Sequence, residues 1–162
     1  MQQTTIRYRP GDATRPDASG TAILAHICNN IGAWGAGFVL AVSSRWPEPE
    51  QEYRRWHRTR AANDNDFSLG AVQLVKVGEG LYVANMVAQN GIRTSPGDTP
   101  IRYDALDRCL STLAGHALDL HASVHMPRIG TGLAGGDWLK IEPLILQRLC
   151  GNGIQVTVYE FT

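Results

Sequence analysis

Four glycines in seven residues, Gly130, Gly132, Gly135 and Gly136, followed at once by Asp137, carry the clearest chemical signal in this chain. They belong to the stretch Met126-Pro127-Arg128-Ile129-Gly130-Thr131-Gly132-Leu133-Ala134-Gly135-Gly136-Asp137-Trp138. A short apolar run at 124–126 leads into it and a helix-periodic segment at 138–149 leads out. Strand, glycine loop and helix N-terminus in that order offer unhindered backbone N–H groups and the positive end of a helix dipole, a combination suited to phosphate. A second glycine loop, Asn29-Asn30-Ile31-Gly32-Ala33-Trp34-Gly35-Ala36-Gly37, directly follows a strand-like run at 21–28. Two such loops in one small domain favour a phosphate or diphosphate ligand over glycines that merely form turns.

The side chains around these loops admit more than one role. Asp137 stands where it can cap the following helix by accepting from first-turn amides, and a carboxylate beside a phosphate cradle can also orient or activate water. Asn29 and Asn30, at a strand end, are suited to turn chemistry and equally to contact with a sugar. His26 lies in an apolar run, where a satisfied core histidine is expected. His121 and His125 are four residues apart but straddle a helix–strand junction, so no metal site is expected from them. The literal G-x-G-x-x-G at 130–135 does not make a dinucleotide fold, because only 27 residues follow Gly135, too few for the remaining βαβ units. There is no G-x-S-x-G elbow and no P-loop lysine, and Cys28 reads as packing.

The elements that must position these residues follow from periodicity. Strands are expected at 5–8, 21–28, 71–77, 81–88, 123–126 and 154–159. Helices are expected from about Gly35 to Trp46, at 48–58, at 103–121 and at 138–149, with Leu106, Cys109, Leu110, Leu113, Ala117 and Leu118 facing inward on the third and Ile141, Leu144 and Ile145 on the last. Gly78-Glu79-Gly80 predicts a hairpin turn, and the turn-rich loop at 91–100 is long enough to suggest a function. The alternation specifies an α/β fold, a three-layer α/β/α sandwich with a mixed, mostly parallel central sheet, as one domain over 1–162. Ligands of such sheets lie beyond the carboxyl ends of the strands, where both glycine loops emerge.

The bulk numbers agree. The 162 residues fit one domain with its own core, and 43% hydrophobic with 19% charged residues argues for an ordered globular chain. Fifteen basic and fifteen acidic residues cancel, which removes the basic excess of a nonspecific nucleic-acid binder. Three widely spaced cysteines, Cys28, Cys109 and Cys150, suggest free thiols in a reducing compartment. The polar start MQQTTIRYRP is not a signal peptide and no apolar run reaches membrane-spanning length. A cytoplasmic monomer with no membrane partner is expected. The arginines at 54, 55, 58 and 60 read as a solvated helix face.

Taken in order, Gly11-Asp12, Leu24-Ala25-His26-Ile27-Cys28-Asn29-Asn30, Trp34-Gly35-Ala36-Gly37, the segment 82–89 and Met126-Pro127-Arg128-Ile129-Gly130-Thr131-Gly132-Leu133 resemble the macrodomain family of ADP-ribose-binding α/β/α modules, nearest the branch that includes the terminal ADP-ribose protein glycohydrolase. The resemblance runs over nearly the whole chain. It implies that Asp12 accepts from the adenine amino group, that Gly35, Ala36, Gly37 and Phe38 together with Thr131, Gly132, Leu133, Ala134 and Gly135 wrap the diphosphate, that Asn29 and Asn30 approach the distal ribose, and that Ala13, Arg128, Ile129 and Gly130 also belong to the binding site. The lysine nucleophile and the aspartate of that branch are replaced here by Gln89 and Ala134, and glutamine cannot form a Schiff base. The other well-known branch uses an Asn and an Asp around a longer glycine loop; Asn29 stands near that Asn, but no Asp occurs between 35 and 43. The expectation is therefore a hydrolase that removes ADP-ribose from ester-linked acidic side chains of modified proteins, with Asp137, Asn29, Asn30 and Gln89 as its chemical residues and without metal or cofactor. The alternatives are a non-catalytic ADP-ribose reader and a phosphatase acting on ADP-ribose 1''-phosphate. ADP-ribosylated proteins are the expected partners; ADP-ribosylated nucleic acid is compatible but not indicated.

Overall fold

The computed structural model describes residues 2–161. Six strands form one sheet, β1 (Ile6–Pro10), β2 (Ala22–Asn29), β3 (Val72–Gly78), β4 (Leu81–Gln89), β5 (Ser123–Met126) and β6 (Val156–Glu160), in the order β1-β6-β5-β2-β4-β3. All neighbouring pairs are parallel except β3–β4, the hairpin. The helices are α1 (Val39–Arg45), α2 (Glu48–Arg58), α3 (Tyr103–Leu120) and α4 (Trp138–Arg148). This is the expected three-layer sandwich. No helix among the described residues is long and apolar enough to cross a membrane.

The layers follow from the period-2 alternation of β2, a central strand whose small and apolar residues let helices approach from both sides. Ile23 and Ala25 enter a core with α3 and α4, while Leu24 and Cys28 enter a second core with α1 and α2, joined by Trp34, Tyr53 and Trp56. Pro10 is tolerated because β1 is an edge strand.

Three local expectations are corrected. The first helix begins at Val39, not near Gly35, because Gly37 has φ +86° and no helix runs through a left-handed residue. Leu118 is 41% exposed and does not join the core face of α3. The last strand starts at Val156, since Cys150–Asn152 form a 3-10 turn and Gly153 follows in the left-handed region.

Candidate binding cleft

The parallel strands end together, and beyond their carboxyl ends opens a cleft of about 1020 Å³. Its two walls are the glycine loops: Gly35, Ala36, Gly37 and Phe38 on one side, and the segment from Arg128 to Ala134 on the other. The loops meet where a Cβ on Gly37 would lie 3.2 Å from a Leu133 methyl. The backbone N–H groups of Gly35, Ala36, Gly37 and Phe38, and those of Gly132, Leu133 and Ala134, bond no acceptor among the described residues. Most of these residues are exposed, so their amides are free to bond water or a ligand.

The glycines of this cleft divide by cause. Gly130 has φ +77°, and a Cβ there would meet Ile101 at 2.7 Å and Ile141 at 3.0 Å. A Cβ on Gly136 would sit 2.5 Å from the Gly130 carbonyl oxygen. Those two positions are glycine because the protein's own packing leaves no alternative. At Gly35 and Gly132 φ lies outside the left-handed region and nothing stands within 4 Å of the added atom. Nothing in the chain requires glycine there, and both positions face the cleft.

The first loop is shaped by buried side chains. The Oδ1 of Asn29 accepts from the amides of Ile31 (3.0 Å) and Ala33 (3.1 Å), and its Nδ2 donates to the Ala33 carbonyl (2.8 Å). The Tyr53 hydroxyl lies 2.5 Å from the Asn29 carbonyl oxygen and 2.9 Å from its Oδ1. Burial pushes that phenol well above its usual range. Asn29 therefore lines the cleft mainly as the keystone of the turn. Asn30 lies outside the cleft lining and clamps the next loop: its Nδ2 donates to Asn90 Oδ1 (2.8 Å) and its Oδ1 accepts from the Gly91 amide (2.8 Å). Gln89, at the end of β4, does line the cleft; its Nε2 donates to the Gly91 carbonyl (3.1 Å), and its Oε1 has no partner among the described residues.

Asp137 has the geometry of a cap. Its carboxylate accepts from the Leu139 amide (3.0 Å) at the start of α4, and it is not among the residues lining the cleft, nor is Gly135. Asp12 and Ala13 also lie outside the lining. Asp12 accepts from the amide (2.9 Å) and hydroxyl (2.7 Å) of Thr14; burial alone would raise its carboxyl, but those two bonds together with the charges of Arg45 and Arg15 hold the group below the usual carboxylate range. Ala13 packs in the α1–α2 core. Both follow Gly11, whose amide bonds the Glu160 carbonyl (3.0 Å), so the pair adjoins the β6 end of the cleft.

Electrostatically the cleft is close to neutral. Arg128 donates to Glu160 at 2.5 Å and lies over the rings of Tyr8 (5.4 Å) and Trp138 (5.3 Å). At the rear wall burial drives His26 down to about 4 and raises the Cys28 thiol far above its usual range, so both are neutral at physiological pH. His121 and His125 do not converge on a metal: His121 ends α3 with φ 52°, while His125 is hydrogen-bonded to Ser123 (2.7 Å) and the Tyr159 hydroxyl (2.7 Å).

Sequence reasoning missed Ile92, Pro127, Tyr159, Glu160 and Phe161, which also line the cleft. Ile92 (50% exposed) and Phe161 (85% exposed) are apolar residues just past strand ends, and that position is the signal that could have found them.

With this geometry in place, the likeness to known proteins is specific. No family model matches the chain. A macrodomain protein from Streptomyces coelicolor of known structure is 54% identical, covering 96% of this chain and 98% of that one, with a TM-score of 0.85. A Bacteroides thetaiotaomicron protein of unknown function is 51% identical over 97% of this chain and 98% of its own, with a TM-score of 0.91. Among curated relatives, the Danio rerio chromodomain-helicase-DNA-binding protein 1-like is 34% identical over 167 residues and 98% of this chain. The chain spans 16% and 18% of the length of the first two curated relatives it matches. An ADP-ribose 1''-phosphate phosphatase from Lodderomyces elongisporus (87% of this chain, 91% of that protein) and a DNA ADP-ribosyl glycohydrolase from Mycobacterium bovis (85% and 36%) are each 27% identical. The chain belongs to the macrodomain family.

Proposed function

We propose that the cleft binds ADP-ribose and that the protein hydrolyses ADP-ribosyl groups, releasing ADP-ribose from ester-linked acidic side chains of modified proteins. The observation that carries this reading is the pair of facing loops with unspent amides, bearing at Gly35 and Gly132 glycines whose open Cβ positions let a ligand lie close to the backbone. A diphosphate is the group that uses such a row of donors. The phosphatase and glycohydrolase relatives, whose names specify ADP-ribose chemistry, support the ligand class.

In this reading the diphosphate is gripped by backbone, and the distal ribose lies at the Gln89 and Asn29 end. Water adds to the anomeric carbon of that ribose as the bond to the carboxylate oxygen breaks. The bonding electrons leave with the carboxylate, and the water proton passes to a substrate phosphate oxygen. A carboxylate is a good leaving group, so orientation supplies much of the help needed. Gln89 orients the water or the sugar through its amide. Asn29 and Asn30 hold the two loops that frame the ribose, and Asp137 fixes the exit of the second glycine loop by capping α4. Adenine lies toward Asp12 and Phe161.

A reader without turnover is the second reading. It is favoured by the ionisable groups that line the cleft, since Arg128 and Glu160 pair with each other while His26 and Cys28 are held neutral. A phosphatase role is supported only by the relative of that name.

The test is release of ADP-ribose from a glutamate-linked ADP-ribosylated protein, run beside ADP-ribosylated DNA and ADP-ribose 1''-phosphate, with calorimetry on free ADP-ribose. Release from the protein ester, lost in Gln89→Ala with binding retained, is the expected result. Binding without release from any substrate establishes the reader. Gly35→Ala and Gly132→Ala should each weaken ADP-ribose binding at least about tenfold, while unfolding midpoints change by less than the equivalent of about 0.5 kcal/mol. Unchanged affinity in both variants would remove the proposed ligand pose.

A further inference from the structure

Beneath the first glycine loop lie two buried polar atoms with no partner among the described residues, His26 Nδ1 and Trp34 Nε1. Unsatisfied atoms of this kind are few in native proteins and each calls for an explanation. Here the two are neighbours. The His26 and Trp34 rings stand 5.4 Å apart, centroid to centroid, at 82°.

Their hydrogen-bonding characters are fixed by the surrounding network. The Nδ2 of Asn85 donates to the Pro49 carbonyl (3.1 Å) and to Gln73 Oε1 (3.0 Å), and the Nε2 of Gln73 donates in turn to the Glu52 carbonyl (3.0 Å). Asn85 Oδ1 is therefore the acceptor in its 2.6 Å contact with His26 Nε2. The proton of the neutral imidazole is on Nε2, and Nδ1 carries a bare lone pair. Trp34 Nε1 is always a donor. The orphans are thus one acceptor and one donor, on adjacent rings, with no direct bond between them.

We propose that one buried water molecule bridges Trp34 Nε1 and His26 Nδ1, accepting from the indole and donating to the imidazole, and that this bridge holds the first glycine loop in its ligand-binding shape. His26 borders the rear wall of the cleft, while its Nδ1 is itself buried. Trp34 sits between Ala33 and Gly35, both cleft residues, so the bridge fixes the backbone from which the free amides project. On its other side the chain of bonds runs through Asn85 and Gln73 to the first turns of α2. In this scheme His26 and Trp34 act as positioning residues. The consequence for affinity rests on the ADP-ribose reading; the water itself does not.

Two measurements test it. In the nitrogen-15 NMR spectrum of the whole chain, His26 should show a protonated Nε2 and an unprotonated Nδ1. The Trp34 indole proton should show a cross-relaxation peak to a long-lived water. A protonated Nδ1, or a direct indole-to-imidazole bond without the water peak, overturns the proposal whether or not ADP-ribose binds. Trp34→Phe keeps an aromatic ring but deletes the donor together with part of a ring buried in the α1–α2 core. It should raise the Kd for ADP-ribose, and the KM, roughly tenfold, the size of one net hydrogen bond, with kcat unchanged. Loss of thermal stability with unchanged affinity of the folded protein would show a purely structural indole and overturn the positioning role. If wild-type protein fails to bind ADP-ribose, the ligand assignment falls while the NMR result still decides the water.

Discussion

The two glycine loops of the cleft do the same work by different means. The second, from Pro127 to Gly136, is shaped by backbone conformation and aliphatic contact. Gly130 turns the chain through positive φ, the Gly136 amide bonds the Gly130 carbonyl at 2.6 Å, and Ile101 and Ile141 fill the space beneath. The first, from Asn30 to Phe38, rests on an aromatic and polar bed. The Asn29 amide ties its turn, Tyr53 anchors Asn29, and Trp34 and Phe38 lie against His26. One loop is set by what cannot be added to it; the other is set by hydrogen bonds that can be removed singly. The second should therefore break all at once, and the first by degrees.

The largest effect expected is at Gly136. A methyl group there would press on a backbone oxygen at 2.5 Å, and a carbonyl already bonded to the Gly136 amide cannot yield cheaply. Gly136→Ala should cost about 4 kcal/mol or more, in the range of the severest single substitutions, measured by urea unfolding. A cost under about 1 kcal/mol would mean that the second loop is as adjustable as the first.

A smaller, graded effect separates the loops by pH. Burial holds His26 neutral, with its pKa lowered from 6.5 to about 4. Unfolding frees it to take up a proton anywhere between those values. Stability is thus fully present above pH 6.5, falls as the pH drops through that window, and levels off below about 4, a loss on the order of 3 kcal/mol from this group. His125, lowered to about 4 by burial and by Arg7 against the opposing pull of Asp17, adds to the same slope. His26 lies under the first loop only. Hydrogen exchange should therefore show the Ile31 and Ala33 amides losing protection in this window before the Gly136 amide does. Equal loss in both loops would mean that only global unfolding is being sensed.

The same contrast explains what could be read from sequence. The second loop was legible because its signal is local: four glycines, an apolar run before them and a capping aspartate after. The layer order was legible for a similar reason, since period-2 and period-3.6 patterns are local properties. In the first loop the helix was expected too early, because a glycine adopts either hand with equal ease and its local sequence does not announce the φ of +86° at Gly37. The partners of Asn29 were equally hidden: Tyr53 reaches it from α2, and nothing in the spacing of the two residues announces the bond. Asp137 carried two open readings because a cap and a catalytic carboxylate look alike in one dimension. They part only when the cleft lining is known.

The smallest expected effect tests what the loops have in common. Both offer amides, not side-chain cations. The cleft's one lining arginine, Arg128, is paired with Glu160 and covered by Tyr8 and Trp138. A diphosphate held by lysines or arginines would lose affinity steeply with salt, because exposed charges are screened over a Debye length that shrinks from about 10 Å at 0.1 M to about 3 Å at 1 M. Fixed amide dipoles in contact with the phosphate oxygens act at hydrogen-bond range, inside that length. Calorimetric titration of ADP-ribose across this salt range should therefore change Kd by less than about threefold, far less than the steep decline expected of cation-held phosphates. A steep decline would mean that Arg128 leaves Glu160 for the ligand. Repeating the titration with Arg128→Gln then decides the matter: if the salt dependence disappears with the guanidinium, the cradle is not made of backbone alone.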